Sequence, residues 1–184
     1  MQRELVERAM AGDHDAFSEL ARISIGRLYV IARLILRDEE KAEDATQEAL
    51  LAAWRHIHGL RDPDRFDAWL RRLLVNACYR EAGRTRRRGS VELDVHVLEL
   101  PGRDTSIDFA DRDQIERGFR RLDTDQRAVL VLHYYLGLSL DEAAETLGIP
   151  PGTARSRLHR AIAAMRAALD ADARPRMTTE GRAT

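Results

Sequence analysis

Ser139 to Arg160 reads SLDEAAETLGIPPGTARSRLHR, two capped helices joined by a tight turn. Ser139 is placed to cap the first helix and Glu142 to reach back from the third position, with Ala143, Ala144 and Leu147 on the inward side. Gly148 stops that helix, Ile149 plugs the turn, and Pro150 and Pro151 forbid continuation. Thr153 is the expected N-cap of a second helix running to about Leu169. On it Leu158, Ala161, Ile162 and Met165 recur at three- and four-residue spacing. That leaves Arg155, Ser156, Arg157, His159 and Arg160 to its flanks and outer face. A helix entering the major groove needs donors in its first turns, and an arginine fork fits a guanine edge or a phosphate. The pattern is that of a DNA-reading helix-turn-helix, although arginines on an amphipathic helix also serve as a plain solvated face.

The rest of the chain agrees once charge is read by position. The 184 residues carry 30 basic and 31 acidic side chains, a balance that at first argues against nucleic acid. Residues 71–88, however, hold seven arginines against Glu81, a net +6, and residues 91–116 hold eight acids against Arg103 and Arg112, a net −6. Blocks of alternating sign thus hide basic surfaces inside a neutral total. No apolar run is long enough to span a bilayer, and residues 1–11 lack an apolar signal core, so a cytoplasmic location without membrane insertion is expected. The lone Cys78 excludes an internal disulfide or a cysteine-cluster zinc site, and its apolar surroundings make it a small buried residue. His14, His56, His58, His96, His133 and His159 lack metal-ligand or triad spacing, and no phosphate loop or nucleophile motif is present. No cofactor, metal or enzyme activity is expected.

No convincing period-two strand occurs, so the fold expected is all-α: two small helical domains joined by a flexible acidic linker. Asp13 or Asp15 caps a first helix with Phe17, Leu20, Ala21, Leu28, Ile31 and Ile35 inward. Asp38 caps a second, in which Ala42, Ala45, Ala49, Leu50, Ala53, Trp54 and Ile57 face inward. Glu40, Glu43, Asp44, Gln47 and Glu48 form an acidic ridge opposite. Asp64 is the expected cap of a third helix with Phe66, Trp69, Leu70, Leu73, Leu74 and Ala77 as its stripe, and with Arg72, Asn76, Tyr79 and Arg80 sharing another face. The boundaries expected are 1–88 for the first domain, 89–109 for the linker, 110–170 for the second domain and 171–184 for a disordered tail. In the second domain Ile115, Phe119 and Leu122 share a helix, and Asp123 and Gln126 form a capping box for a helix to about Tyr135.

An acidic ridge, an Arg/Asn/Tyr helix and a helix-turn-helix point to a factor that bridges protein and two DNA sites. The chain resembles the extracytoplasmic-function class of the sigma-70 family. The resemblance rests on Gly12-Asp13 to Phe17, DATQEALLAAWR at Asp44–Arg55, RFDAWLRRLLVNACYR at Arg65–Arg80, and the run from Leu122 to Ala161. It covers nearly everything except linker and tail.

The resemblance implies a non-enzymatic initiation subunit that binds core RNA polymerase and helps to open promoters. Asp44, Gln47, Glu48 and Leu50 would dock on the clamp helices of the largest subunit, with charge complementarity setting register. Leu60, Arg61, Asp62, Arg72, Asn76, Tyr79 and Arg80 would recognise the minus-ten element, where bases that leave the stack need a pocket. Here Leu60 stands where the family often has an aromatic residue, and Asp62-Pro63-Asp64 replaces a Gly/Ser-type turn. Thr153, Arg155, Ser156, Arg157, His159 and Arg160 would read the minus-thirty-five element. Residues near Tyr134 and Tyr135 would meet the flap tip of the second-largest subunit. An anti-sigma partner, soluble or holding the chain at the membrane, and a monomeric free state complete what the resemblance implies. An autonomous helix-turn-helix regulator is the alternative, but it leaves the acidic ridge and the Asn76 helix without a purpose.

Overall fold

The computed structural model describes residues 2–88 and 109–173, and every described element is helical. Residues 89–108, nearly all of the expected linker, and 174–184, most of the expected tail, lie outside the described residues.

The first unit is built on α2 (His14–Leu36), α3 (Glu39–His56) and α4 (Phe66–Arg88). Asp13 is the cap of α2: its carboxylate accepts from the amides of Asp15 and Ala16, each at 3.0 Å. Those two bonds and the Arg8 guanidinium hold its carboxyl below the usual range. Asp38 caps α3 through the Lys41 amide at 3.1 Å. Ala42, Ala45, Ala49 and Ala53 are each fully buried, and this row of methyl groups lets α3 sit close against α2 and α4. Buried Thr46 satisfies its hydroxyl by donating to the Ala42 carbonyl at 2.7 Å.

Two features of this unit differ from expectation. A further helix, α1 (Gln2–Met10), precedes Asp13 and packs on α2 through Val6 and Ala9. Two buried residues among charges make too short a stripe for periodicity to reveal. The cap before α4 is Asp62, not Asp64. The Asp62 carboxylate accepts from the Asp64 amide at 3.0 Å and starts a short 3-10 turn, Pro63–Arg65, with Pro63 in the first position where its missing N–H costs nothing.

The second unit comprises α5 (Phe109–Arg120), α6 (Thr124–Leu130), α7 (Leu140–Leu147) and α8 (Pro151–Ala173), with α8 packed against the other three. The Asp123/Gln126 capping box is present in both directions, at 2.8 and 3.1 Å. Beyond Leu130 the helix widens into a π-helical turn, Val131–Tyr135, in which the Leu136 amide donates five residues back to Val131 at 3.0 Å. The expected helix to Tyr135 is thus present with a wider last turn. Helix α8 continues to Ala173, past the expected tail boundary at 171.

The two units pack on each other: α4 meets α7 and α6, and α2 meets α6. On α4, Phe66, Leu70, Leu74, Ala77 and Cys78 are buried as expected, and Val75, outside the expected stripe, is buried too. Burial pushes the Cys78 thiol up to about 12.

Candidate nucleic-acid interface

The turn between α7 and α8 follows from three residues. Ser139 and Glu142 form the capping box, with the Ser139 amide donating to the Glu142 carboxylate at 2.8 Å. That hydroxyl and amide hold the Glu142 carboxyl below its ordinary value. Gly148 takes the left-handed conformation, φ 65°, which lets its amide and that of Ile149 turn back onto the carbonyls of Glu145 and Ala144. This is a Schellman closure, and glycine adopts it without the steric cost a Cβ brings. The start of α8 corrects the expectation. The amides of Thr153 and Ala154 donate to the Pro150 carbonyl at 2.9 and 3.2 Å, so Pro150 caps and Pro151 opens the helix, while Thr153 already lies inside it. Proline at the first position removes a donor that would have had no partner.

Ala154, Leu158 and Ala161 anchor α8 in the core, which turns Arg155, Ser156, His159 and Arg160 to solvent. Their internal ties are light. Arg155 meets Asp141 at 3.7 Å with both side chains largely exposed, the Ser156 hydroxyl donates to the Thr153 carbonyl, and Arg160 Nε donates to the Ser156 carbonyl at 3.2 Å. Exposed pairs of this kind contribute little, so the side chains can be re-aimed at a phosphate or base edge. Arg157 differs: half-buried, it pairs with Asp125 of α6 at 3.0 Å.

On α4, Arg72, Asn76 and Arg80 lie exposed at i, i+4 and i+8, a row one helical turn apart. Arg61 and Asp62 are exposed at one end of that helix. Leu60 is not available beside them, since it is 8% exposed and belongs to the core. Tyr79 faces the second unit, its hydroxyl buried beside the Asp125–Arg157 pair without a well-aligned bond to either, and burial raises its pKa. The loop is braced from α1, where Arg3 pairs with Asp64 and Gln2 donates to Asp67 at 3.1 Å. His58 Nδ1 lies 2.8 Å from the Met10 carbonyl.

The ridge on α3 presents Asp44 and Gln47 to solvent, while Glu48 is half-buried and bonds Arg80 Nε at 3.1 Å. Leu50 is partly buried against the core, and the leucine that stands out is Leu51, 54% exposed. Leu51 completes the i, i+3, i+4, i+7 series of Asp44, Gln47 and Glu48, so helical spacing was the signal for it. Tyr134, on the π-turn, is exposed. Among the described residues no cluster of three or more His, Cys, Asp or Glu could hold a metal ion.

Two arginines that the motifs did not single out, Arg127 and Arg37, tie the units together, and a third, Arg71, is half-buried on α4. Arg127 is buried and donates to the Ile35 carbonyl at 2.6 Å and the Leu122 carbonyl at 2.7 Å. Arg37 donates to the Glu116 carbonyl at 3.1 Å. Arg71 is half-buried, and desolvation, then the nearby Arg27, lowers its pKa. The signal for Arg127 was its place on an inward series with Thr124, Ala128 and Val131.

Residues 20–88 match the family described as sigma-70 region 2, and residues 112–165 match sigma-70, region 4. The chain is 34% identical over 160 residues to the ECF RNA polymerase sigma factor SigM of Mycobacterium tuberculosis, covering 87% of this chain and 80% of that protein. It is 34% identical over 161 residues to the RNA polymerase sigma-E factor of Streptomyces coelicolor, covering 86% and 90%. Among solved structures, CnrH in complex with the cytosolic domain of CnrY superposes with a TM-score of 0.65 at 29% identity, covering 93% of this chain and 98% of that one. The sigma factor RpoE of Bartonella quintana, in complex with the anti-sigma factor NepR, superposes with a TM-score of 0.64 at 27% identity, covering 85% and 98%. The chain belongs to the extracytoplasmic-function RNA polymerase sigma factors of the sigma-70 family.

Proposed function

We propose that this sigma factor divides its work among three surfaces. The ridge of Asp44, Gln47, Glu48 and Leu50, together with exposed Leu51, docks on the clamp helices of the largest polymerase subunit. Opposite charge steers the encounter, and apolar area beside it retains the complex. The row Arg72, Asn76 and Arg80, with Arg61 and Asp62 at the loop, engages the minus-ten element. An amide at Asn76 can hold an extruded base by its edge, while the arginines neutralise phosphates. Tyr79 joins this surface only when the second unit moves away from it. Arg155, Ser156, His159 and Arg160 read the minus-thirty-five element, and Tyr134 meets the flap tip of the second-largest subunit. Arg157 steadies the base of α8 through Asp125 and reaches the DNA backbone when that pair opens, with Thr153 in the first turn beside it.

The observation that carries this reading is the simultaneous exposure of the donor face of α8 and the α4 row, on different units. A chain that binds an operator by itself needs only one of them. We further propose that an anti-sigma factor controls the chain, since two structurally similar proteins were captured in complexes, one of them with a named anti-sigma factor. No described helix is long and apolar enough to cross a membrane, and the work proposed takes place in the cytoplasm, where polymerase and DNA are.

Run-off transcription with purified core polymerase tests the function. Specific transcripts that require both upstream elements support it. Tight operator binding without polymerase, and no transcripts with it, would favour the autonomous regulator.

A further inference from the structure

We infer that α1 is a splint that sets the base selectivity of the loop before α4: its two ends clasp the two ends of residues 58–67, with Gln2, Arg3 and His58 as positioning residues. The inference rests on the assignment of that loop and of α4 to the minus-ten element.

Helix α1 is itself fixed in place. Val6 and Ala9 are buried where it packs on α2, and the Arg8 guanidinium donates twice to one carboxylate oxygen of Asp13, at 2.9 and 2.6 Å, while the other oxygen caps α2. The end of a helix leaves its last carbonyls without intrahelical partners. Those of Glu7, Arg8 and Ala9 are taken by the amides of Ala11, Asp13 and Gly12. That of Met10 is taken from outside, by His58 Nδ1 at 2.8 Å, just before the loop. A carbonyl only accepts, so the imidazole carries a proton on Nδ1 there. At the opposite end of α1, Arg3 pairs with Asp64 and Gln2 donates to Asp67 at 3.1 Å, both beyond the crest of the loop. The helix therefore runs antiparallel to the segment it spans, touching it at 58 and again at 64 and 67.

Within this stretch the backbone has three apolar anchors, Ile57, Leu60 and Phe66, all buried. Arg61 and Asp62 stand exposed between the second and the third. One carboxylate oxygen of Asp62 accepts from the Asp64 amide at 3.0 Å, so a shift of Asp64 is a shift of Asp62. Through that bond Arg3 acts on the crest of the loop without touching DNA. A helix of nine residues is about 13 Å long at about 1.5 Å per residue, and it does not stretch, so it sets the distance between the loop ends. A pocket whose walls cannot re-form rejects the wrong base, whereas a loose one accommodates several. Gln2, Arg3 and His58 are all exposed, and exposed polar pairs contribute little stability. Their loss therefore leaves the fold standing and frees only the loop.

The test uses the full chain with core polymerase, in run-off transcription from promoters that carry each of the four bases in turn at every minus-ten position, with the minus-thirty-five element held constant. The unmodified chain should show a strong preference at one or two positions. Gln2→Ala combined with Arg3→Ala, and separately His58→Ala, should flatten that preference by about tenfold. Core affinity, the minus-thirty-five preference and helical circular dichroism should stay as they were. Arg3→Asp should flatten it as well, and adding Asp64→Arg, which re-forms the pair with its charges reversed, should restore it. Uniformly weaker transcription with the preference intact, or an unchanged preference in every folded variant, would overturn the splint. Arg61→Ala and Asn76→Ala separate this result from a failed promoter assignment. If they alter the preference and the α1 variants do not, the splint alone is wrong; a preference that none of these substitutions alters overturns the assignment of the loop and the splint with it.

Discussion

Glu48 on α3 and Arg80 on α4 meet at 3.1 Å, with Arg84 a further 3.9 Å from the second carboxylate oxygen. A residue assigned to polymerase docking is thus paired with one assigned to DNA. Under the proposed assignments, a basic clamp surface that takes over Glu48 should release Arg80 toward phosphate and so couple docking to promoter engagement.

Asp44 is exposed, and Asp44→Arg tests docking without disturbing the Glu48 pair. Placing a like charge against a basic surface should weaken core binding by about tenfold or more, with thermal stability nearly unchanged. Glu48→Arg should weaken binding as well, and it should also lower stability, because it sets a third cation beside Arg80 and Arg84. Calorimetric titration with core polymerase and a melting curve separate the two effects. Equal affinity for Asp44→Arg and the parent chain would refute the ridge assignment.

Arg155 and Arg157 should behave differently on substitution by alanine. Arg155 is exposed, so its loss should cost about 1 to 3 kcal/mol of discrimination at one base pair of the upstream element and leave the fold intact. Arg157 is tied to Asp125, so its loss should loosen α8 against α6 and reduce transcription on intact and scrambled upstream elements alike. Run-off assays on both templates, with urea melts of both variants, check this.

Ser139→Ala removes one half of the capping box and should cost about 1 kcal/mol in chemical denaturation. The pH dependence has a definite sign. The Glu142 carboxyl is held below its ordinary value of about 4.5 by the Ser139 hydroxyl and amide. Its contribution is therefore fully present above about pH 4.5 and is lost as pH falls through the depressed value of the folded protein. The Ser139→Ala variant should show a shallower loss of stability below that pH.

Cys78 should resist thiol reagents in the native state. With its pKa pushed up to about 12, its thiolate fraction at pH 8 is about 10⁻⁴, and burial limits access further. Labelling at the rate of a free thiol in native buffer would contradict the packing of α4; full labelling in denaturant is the expected control.

How much was legible in the chain follows from the range of the forces involved. Ser139, Glu142, Gly148, Asp123, Gln126 and Asp38 act within a few residues of their own position, and each forms the cap or turn its type and spacing implied. The alanine row of α3 and the stripes of α2 and α4 were readable because a helix that buries one face repeats every three or four residues. Where choices were nearly equal, proline decided them, moving the caps to Asp62 and Pro150.

The sequence by itself determined an all-helical chain, its two units, the helix-turn-helix and the outward donors of α8, since these arise from local hydrogen bonds and periodic burial. Tertiary structure decided the rest: that α1 braces the loop before α4, that Leu60 is core, that Tyr79 faces Arg157, and that Arg127 closes the end of α2. Those depend on groups as much as 92 residues apart. A buried carbonyl at one helix end and a guanidinium on another helix acquire their meaning only when packing removes the water between them.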